Sequence, residues 1–126
     1  MVYFSYAELG AADAPEAIRR NIECLCTRLL DPIREAVGRP ILVNSGYRSP
    51  EHNRRVGGSP TSDHMRGLAA DIRIVGLSGE EQKKLILPAI TQRRLSFDQL
   101  IVYPRFVHIS YRPGEKNREM ILHRDA

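Results

Sequence analysis

Apolar residues between Glu16 and Gly38 recur at three- and four-residue steps, the spacing of one face of an α-helix. The residues that share this face are Ile18, Ile22, Leu25, Leu29, Ile33 and Val37. We expect a helix of roughly 22 residues, capped at its start by Asp13 and ended by Gly38. Pro32 lies inside the pattern and should bend this helix or break its last turns.

A second helix is predicted over residues 78–93. Ser78, followed by Glu81 three residues later, forms a capping box, and Pro88 should disturb this helix. Short apolar runs predict strands at residues 40–43, 69–75, 99–103, 106–111 and 119–123. Strands gathered towards the end of the chain favour an α+β fold with an antiparallel sheet.

Residues 45–68 show no strong hydrophobic periodicity and are rich in Gly, Ser, Pro, Asn and Asp. So long an irregular segment in a small domain is usually functional. We therefore expect residues of a functional site within it.

The chain has 126 residues, of which 42% are hydrophobic and 27% charged. This length and composition fit one domain with a packed core, residues 1–126. No apolar run approaches the roughly 18–20 residues that a membrane helix needs. The first ten residues have neither the basic start nor the apolar stretch of a secretory signal peptide, so we expect cytoplasmic synthesis.

The formal net charge is +4, from 19 Lys and Arg against 15 Asp and Glu. This charge favours acidic surfaces or substrates, but it is too small to argue for nucleic acid. Cys24 and Cys26 lack a second Cys or His pair at zinc-finger spacing. They are interpreted as ordinary small residues of a reducing compartment.

Three residues lie at positions that suit a catalytic or metal-binding role. Asp71 lies near the start of a mostly apolar strand, where a buried carboxylate needs a partner or a metal ion. His108 lies in the middle of another strand, and His64 precedes Asp71 across a glycine-containing turn. Two histidines and one carboxylate form a common catalytic zinc set with one position open for water. On spacing alone, a structural histidine remains the commoner alternative.

The residues from Ser62 to Asp71 follow the pattern S-x-H-x-x-G-x-A-x-D at every fixed position. Other distinctive segments are Ser45-Gly-Tyr-Arg-Ser-Pro50, Val56-Gly-Gly58, Phe97-Asp-Gln-Leu-Ile101 and Phe106-Val-His-Ile-Ser-Tyr111. Together these segments resemble the zinc D-Ala-D-Ala peptidases, the peptidase M15 family, especially its short phage- and prophage-type members. The resemblance covers roughly residues 3–120.

The resemblance implies the Hedgehog/DD-peptidase-like α+β fold, with an antiparallel sheet and helices packed on one face. It also implies hydrolysis of peptidoglycan stem peptides, as a carboxypeptidase or endopeptidase, with one zinc ion held by His64, Asp71 and His108. Arg48 matches an arginine that holds the substrate and the developing oxyanion. Ser62 matches the motif serine, expected to support the loop or contact substrate.

One departure from the family pattern concerns the general base. Family members usually carry an acid three residues before the third ligand, and here that residue is Arg105. The nearest acids in sequence to motif residues are Asp98, Asp63 and Glu51, among which the sequence does not choose. The alternative is therefore a cell-wall-binding or structural module on the same fold, with weak or absent catalysis.

The expected partners are peptidoglycan peptides. Neither nucleic acid nor membrane is expected as a partner, and the chain is expected to be a monomer. We expect action at the cell wall after release or delivery by phage machinery, as the resemblance to phage-type members implies.

Overall fold

The computed structural model describes residues 1–125. Its α-helices are α1 (Glu16–Leu25), α2 (Asp31–Val37), α3 (Pro50–Arg55) and α4 (Gly79–Arg93). Within the described residues, five strands form one sheet, namely β1 (Leu42–Ser45), β2 (Ala69–Arg73), β3 (Gln99–Val102), β4 (Val107–Ser110) and β5 (Met120–His123).

The first predicted helix is present, with a different start and an unforeseen turn. It begins after Pro15 without a side-chain cap, so the expected cap at Asp13 is wrong. Between α1 and α2 lies one π-helical turn, Cys26–Leu30, in which the Asp31 N–H donates to the Cys26 carbonyl. The wider turn fits Pro32, which has no N–H to donate and crowds the preceding turn. The helix therefore continues through the proline and ends at Gly38, whose φ is 71°.

The prediction of an irregular segment over residues 45–68 is wrong in part, because it contains α3 and one 3₁₀ turn, Asp63–Arg66. A serine caps each of them. Ser49 accepts a hydrogen bond from the His52 N–H in α3, and Ser62 accepts one from the His64 N–H. Short helices of polar residues have no apolar periodicity to reveal them.

The sheet has the strand order β1-β2-β4-β3-β5. All neighbours pair antiparallel except β3 and β5, which run parallel. Alternate residues of the central strands share one core with α1, α2 and α4, namely Ala70, Ile72, Leu100, Val102, Val107 and Ile109. The α+β fold class, with the longer helices on one face of a mostly antiparallel sheet, is confirmed.

The second predicted helix is α4, and its capping box between Ser78 and Glu81 forms as expected. Pro88 lies inside this helix without ending it. Across residues 1–125, no helix combines the length and apolar character needed to cross a bilayer.

Candidate metal centre

The sheet places Asp71 and His108 directly opposite each other. They form a register pair of β2 and β4, with Ser45 of β1 paired to Asp71 on its other side. Successive strand residues point to opposite faces. Because Ile72 and Val107 enter the helix-covered core, Asp71 and His108 point to the other face of the sheet.

His64 reaches the same face from the 3₁₀ turn just before β2. His64 is 3% exposed. The Arg48 N–H donates to the His64 carbonyl at 3.0 Å, so the turn is tied to the loop after β1. The motif thus brings His64 and Asp71 together because a tight turn joins them, ended by Gly67 at φ 73°.

The three side chains converge closely. Oδ1 of Asp71 lies 2.9 Å from Nδ1 of His108 and 3.3 Å from Nε2 of His64. The two imidazole rings meet edge to face with centroids 5.0 Å apart. Within residues 1–125, this is the one cluster of three or more His, Cys, Asp or Glu side chains whose ligand-type atoms all lie within 4.8 Å.

The donor set and its spacing fit a zinc ion. Two ligands bound tetrahedrally at about 2.0–2.1 Å from zinc are separated by about 3.3–3.4 Å. The Asp71–His64 and Asp71–His108 contacts are close to that separation. Two neutral imidazole nitrogens and one carboxylate leave a fourth position for water or substrate.

A backbone carbonyl fixes the orientation of His64. Nδ1 of His64 lies 2.7 Å from the Gly46 carbonyl oxygen, which leaves Nε2 directed at Asp71. Such a hydrogen bond selects the tautomer and ring orientation of a ligating histidine. Gly46 is itself held close to the N-terminal segment, since a Cβ on Gly46 would lie 2.4 Å from the Leu9 carbonyl oxygen.

Asp71 carries its charge in a buried position. Burial by itself raises the pKa of this carboxyl, but its close contacts with His108 and His64 outweigh burial and hold its pKa well below the ordinary value. The carboxylate is therefore ionised at neutral pH, the form in which it coordinates a cation.

This chain is similar to known proteins over most of its length. A family model described as Peptidase M15 matches residues 2–110. The chain belongs to the peptidase M15 family. A curated relative, the zinc D-Ala-D-Ala carboxypeptidase of Streptomyces albus G, is 39% identical over 79 residues. That match covers 56% of this chain and 31% of the relative, so it spans about a third of the relative's length.

In this M15 chain Arg48 stands beside Asp71. Its Nη2 lies 3.6 Å from Oδ2 of Asp71, and its Nε donates to Oγ of Ser45 at 3.2 Å. The guanidinium is largely buried, with 17% of the side chain exposed. A fixed cation therefore lies next to the candidate metal ligands. It is near Oδ2 of Asp71, whereas the histidines contact Oδ1.

Asn53 of α3 belongs to the same network and was not found from the sequence. It is 1% exposed. Its Oδ1 accepts from Nη1 of Arg48 at 3.3 Å, and its Nδ2 donates to the Ser59 carbonyl at 2.8 Å. Gly58 leaves room for it, since a Cβ there would lie 2.0 Å from Oδ1 of Asn53. In a six-residue helix of mostly polar residues, no periodicity marks which side chain is buried.

The acids considered as general bases have other surroundings. Asp98 is fully buried, and its carboxylate accepts two hydrogen bonds from the Arg118 guanidinium, at 2.9 and 2.7 Å. Asp63 lies 3.6 Å from Arg66, and Glu51 is exposed in the first turn of α3. None of the three belongs to the cluster around Asp71.

Arg105 is exposed in the turn between β3 and β4. Its carbonyl accepts a hydrogen bond from the buried Gln82 side chain at 3.1 Å, which ties the turn to α4. The departure noted in the sequence is therefore a surface-exposed arginine three residues before His108.

The remaining candidates are not members of the cluster. The Ser62 hydroxyl caps the 3₁₀ turn, which is the loop-support role, and its contact with substrate stays a prediction. His52 is exposed in α3, and His123 lies 3.4 Å from Glu80 of α4. Burial raises the pKa of the Cys26 thiol to about 12, so this residue is an unreactive core side chain.

Proposed function

We propose that this chain is a zinc-dependent peptidase domain, residues 1–126, that hydrolyses peptidoglycan stem peptides beside a D-amino acid. The observation that carries the proposal is the convergence of His64, Asp71 and His108 within 4.8 Å. M15 membership and the carboxypeptidase activity for which the Streptomyces relative is named support the substrate class. Removal of the terminal D-alanine and cleavage of a cross-link are the two forms of the reaction.

In this proposal His64, Asp71 and His108 hold one zinc ion. When bound, zinc polarises the scissile carbonyl and lowers the pKa of a coordinated water. The chain's own residues balance the charge of the ion and orient its ligands. Asp71 offsets part of the cation's charge, and the Gly46 carbonyl keeps the His64 ring in its orientation.

Arg48 is the proposed electrostatic residue. Its guanidinium is held by Ser45 and Asn53 and lies 3.6 Å from Asp71. A cation fixed before the reaction stabilises negative charge as it grows on the carbonyl oxygen, at no cost of reorganisation. The planar guanidinium also suits the terminal carboxylate of a carboxypeptidase substrate.

A synthetic stem pentapeptide ending in D-Ala-D-Ala tests the proposal. The zinc-loaded protein should release D-alanine, and a chelator should abolish release. Arg48→Lys keeps the charge but loses the planar fork, so kcat/KM should fall while the zinc content stays at one ion per chain. Release of D-alanine that persists in fully chelated protein would refute zinc dependence.

A second candidate function follows from Arg105. General-base help is worth about 10²–10⁴-fold in rate, and an arginine cannot accept a proton at neutral pH. The chain would then bind wall peptides without efficient hydrolysis. Arg105→Glu separates the two functions: a binding module should gain turnover through this change, whereas turnover already present in the zinc-loaded wild type excludes the module.

A further inference from the structure

A cavity of about 520 Å³ lies at the end of the sheet, between the end of β2 and the β3–β4 turn. Arg73 at the end of β2 and Arg105 in the β3–β4 turn line it, together with the Ile74–Ser78 connection. Two arginines and no acidic residue are found among the described residues that line this cavity. Its wall is therefore suited to an anion.

One residue of the cavity wall, Arg73, lies close to Asp71 along the sheet. Arg73 follows Asp71 by two residues in β2, so the two share a face and their Cα atoms are about 6.6–6.8 Å apart. Phe106 precedes His108 by two residues on the neighbouring strand, and its ring stacks on Tyr103 at 4.5 Å. The face of the sheet that carries the metal centre thus continues into an aromatic surface and the Arg73 cation, and Arg105 lies in the adjoining β3–β4 turn.

The positive charge of the cavity is not neutralised by nearby acids. Nε of Arg73 donates to the neutral Asn44 side chain at 3.0 Å. The Glu81 carboxylate accepts the Ser78 N–H in the capping box, and Glu80 pairs with Lys83 at 2.7 Å. Each acid at the start of α4 therefore has a partner of its own.

From this arrangement we infer that Arg73 and Arg105 form a subsite for a carboxylate of the substrate peptide, two or three residues away from the scissile bond. The inference rests on the proposed function. An extended peptide advances about 3.3–3.6 Å per residue, so a group that reaches the cavity lies two or three residues from the carbonyl at the metal centre. The terminal carboxylate of the substrate lies closer to that carbonyl, and Arg48 is the residue expected to bind it.

The stem peptide offers a carboxylate at this distance. Its glutamate is linked through the side chain, which leaves the α-carboxylate free, and this is the group that the subsite is expected to bind. The side-chain carboxylate of diaminopimelate, where it replaces lysine, is the second source of the same chemistry. Arg105 would then serve substrate binding in this chain at the position where an acid was expected.

Calorimetric titration of the zinc-loaded protein tests the subsite. The probe is the tetrapeptide L-Ala-γ-D-Glu-L-Lys-D-Ala, which lacks the D-Ala–D-Ala bond, with the glutamate α-carboxylate either free or amidated. Charge-assisted hydrogen bonds predict about tenfold tighter binding of the free form. A second pair of tetrapeptides has diaminopimelate in place of lysine, with its side-chain carboxylate either free or amidated. Comparison of the two pairs shows which carboxylate carries the preference.

Arg73→Gln and Arg105→Gln should each reduce the preference, and the double variant should remove it. Arg28→Gln removes the same charge from the opposite, helical side of the protein, where Arg28 is exposed, and should leave the preference intact. Equal affinity of wild type for free and amidated forms of both pairs, or a preference that survives in the double variant, overturns the inference.

Pentapeptide turnover measured in parallel keeps the two proposals apart. Loss of the carboxylate preference in the double variant, together with hydrolysis of the pentapeptide by the wild-type protein, supports both proposals. A preference that depends on the arginines, without any hydrolysis, supports the subsite and counts against the proposed function. Hydrolysis with no preference counts against the subsite alone.

Discussion

Oδ1 of Asp71 lies 2.9 Å from Nδ1 of His108, and the two residues are direct register partners of β2 and β4. The register of one antiparallel pair therefore sets the spacing of two candidate ligands. A slip of one residue would turn one of them into the core. The apolar neighbours Ile72 and Val107 oppose such a slip, because it would expose them.

His108→Ala should abolish stable zinc binding. It removes one of three ligands and leaves the Asp71 carboxylate without its closest partner. We expect zinc affinity to fall by at least about 100-fold, measured by competition with a chromogenic chelator. His52→Ala, in an exposed histidine outside the cluster, should bind zinc as the wild type does. Equal zinc affinity of the two variants would contradict the assignment.

The members of the cluster could be found from the sequence, and the supports of the cluster could not. His64 and Asp71 are linked by a motif of fixed spacing, and His108 stands in a recognisable strand. The Gly46 carbonyl and Asn53 act through backbone and loop geometry. Contacts of that kind depend on where the chain folds back, which local pattern does not encode.

Asn53→Ala should reduce catalysis without loss of zinc. Arg48 loses one of its partners, and the Ser59 carbonyl loses a donor. Displacement of the guanidinium should lower kcat/KM by about 10- to 100-fold, and the free energy of unfolding should fall by about 1–3 kcal/mol.

Asn117→Ala is the matched control for Asn53→Ala, because Asn117 also bridges backbone groups within a loop, at Arg112. It should lose stability and retain kcat/KM. An unchanged kcat/KM in Asn53→Ala, at full zinc occupancy, would show that Asn53 has no part in positioning Arg48.

Gly46→Ala should weaken both folding and zinc binding. A Cβ there would lie 2.4 Å from the Leu9 carbonyl oxygen, and the Gly46 carbonyl orients His64. Either the N-terminal segment or the loop must shift, so zinc affinity should fall by about 10- to 100-fold. Gly114→Ala provides a control for backbone strain alone. A Cβ added at Gly114 would meet nothing within 4 Å, but the φ of this residue is 69°. Equal zinc affinities in the two variants would refute the role of the Gly46 contact.

Asp98→Asn should destabilise the protein in a pH-dependent way. Hydrogen bonds from the Arg118 side chain hold the pKa of Asp98 below its ordinary value. A lowered pKa in the folded state means that the charged pair stabilises the fold above about pH 4. This stabilisation is lost as the pH falls through the folded-state pKa.

At pH 7 the free energy of unfolding should be lower in Asp98→Asn than in the wild type by about 1.5–3 kcal/mol, the range for hydrogen bonds to charged groups. The difference from wild type should shrink below about pH 4, as followed by urea unfolding. Asp13→Asn, at an exposed residue, should show no comparable effect. A difference that is constant from pH 7 to pH 3 would contradict the ion-pair explanation.

The fold was predictable where hydrophobic periodicity is strong, and less so where polar residues determine the local structure. The apolar face from Ile22 to Ile33 identified the first helix, although the π turn before Pro32 depends on how the backbone accommodates one missing donor. The parallel pairing of β5 with β3 has no local signature. A four-residue strand carries its apolar pattern but not the direction of its partner.

Digestion of purified peptidoglycan fragments, read by mass spectrometry, tests the central claim most directly. The zinc-loaded protein should remove one D-alanine or cut one cross-link, and a chelator-treated sample should give no product. The mass of the product then identifies the bond. Protein that holds one zinc ion per chain and still yields no product from these fragments would contradict the peptidase assignment and favour the binding module.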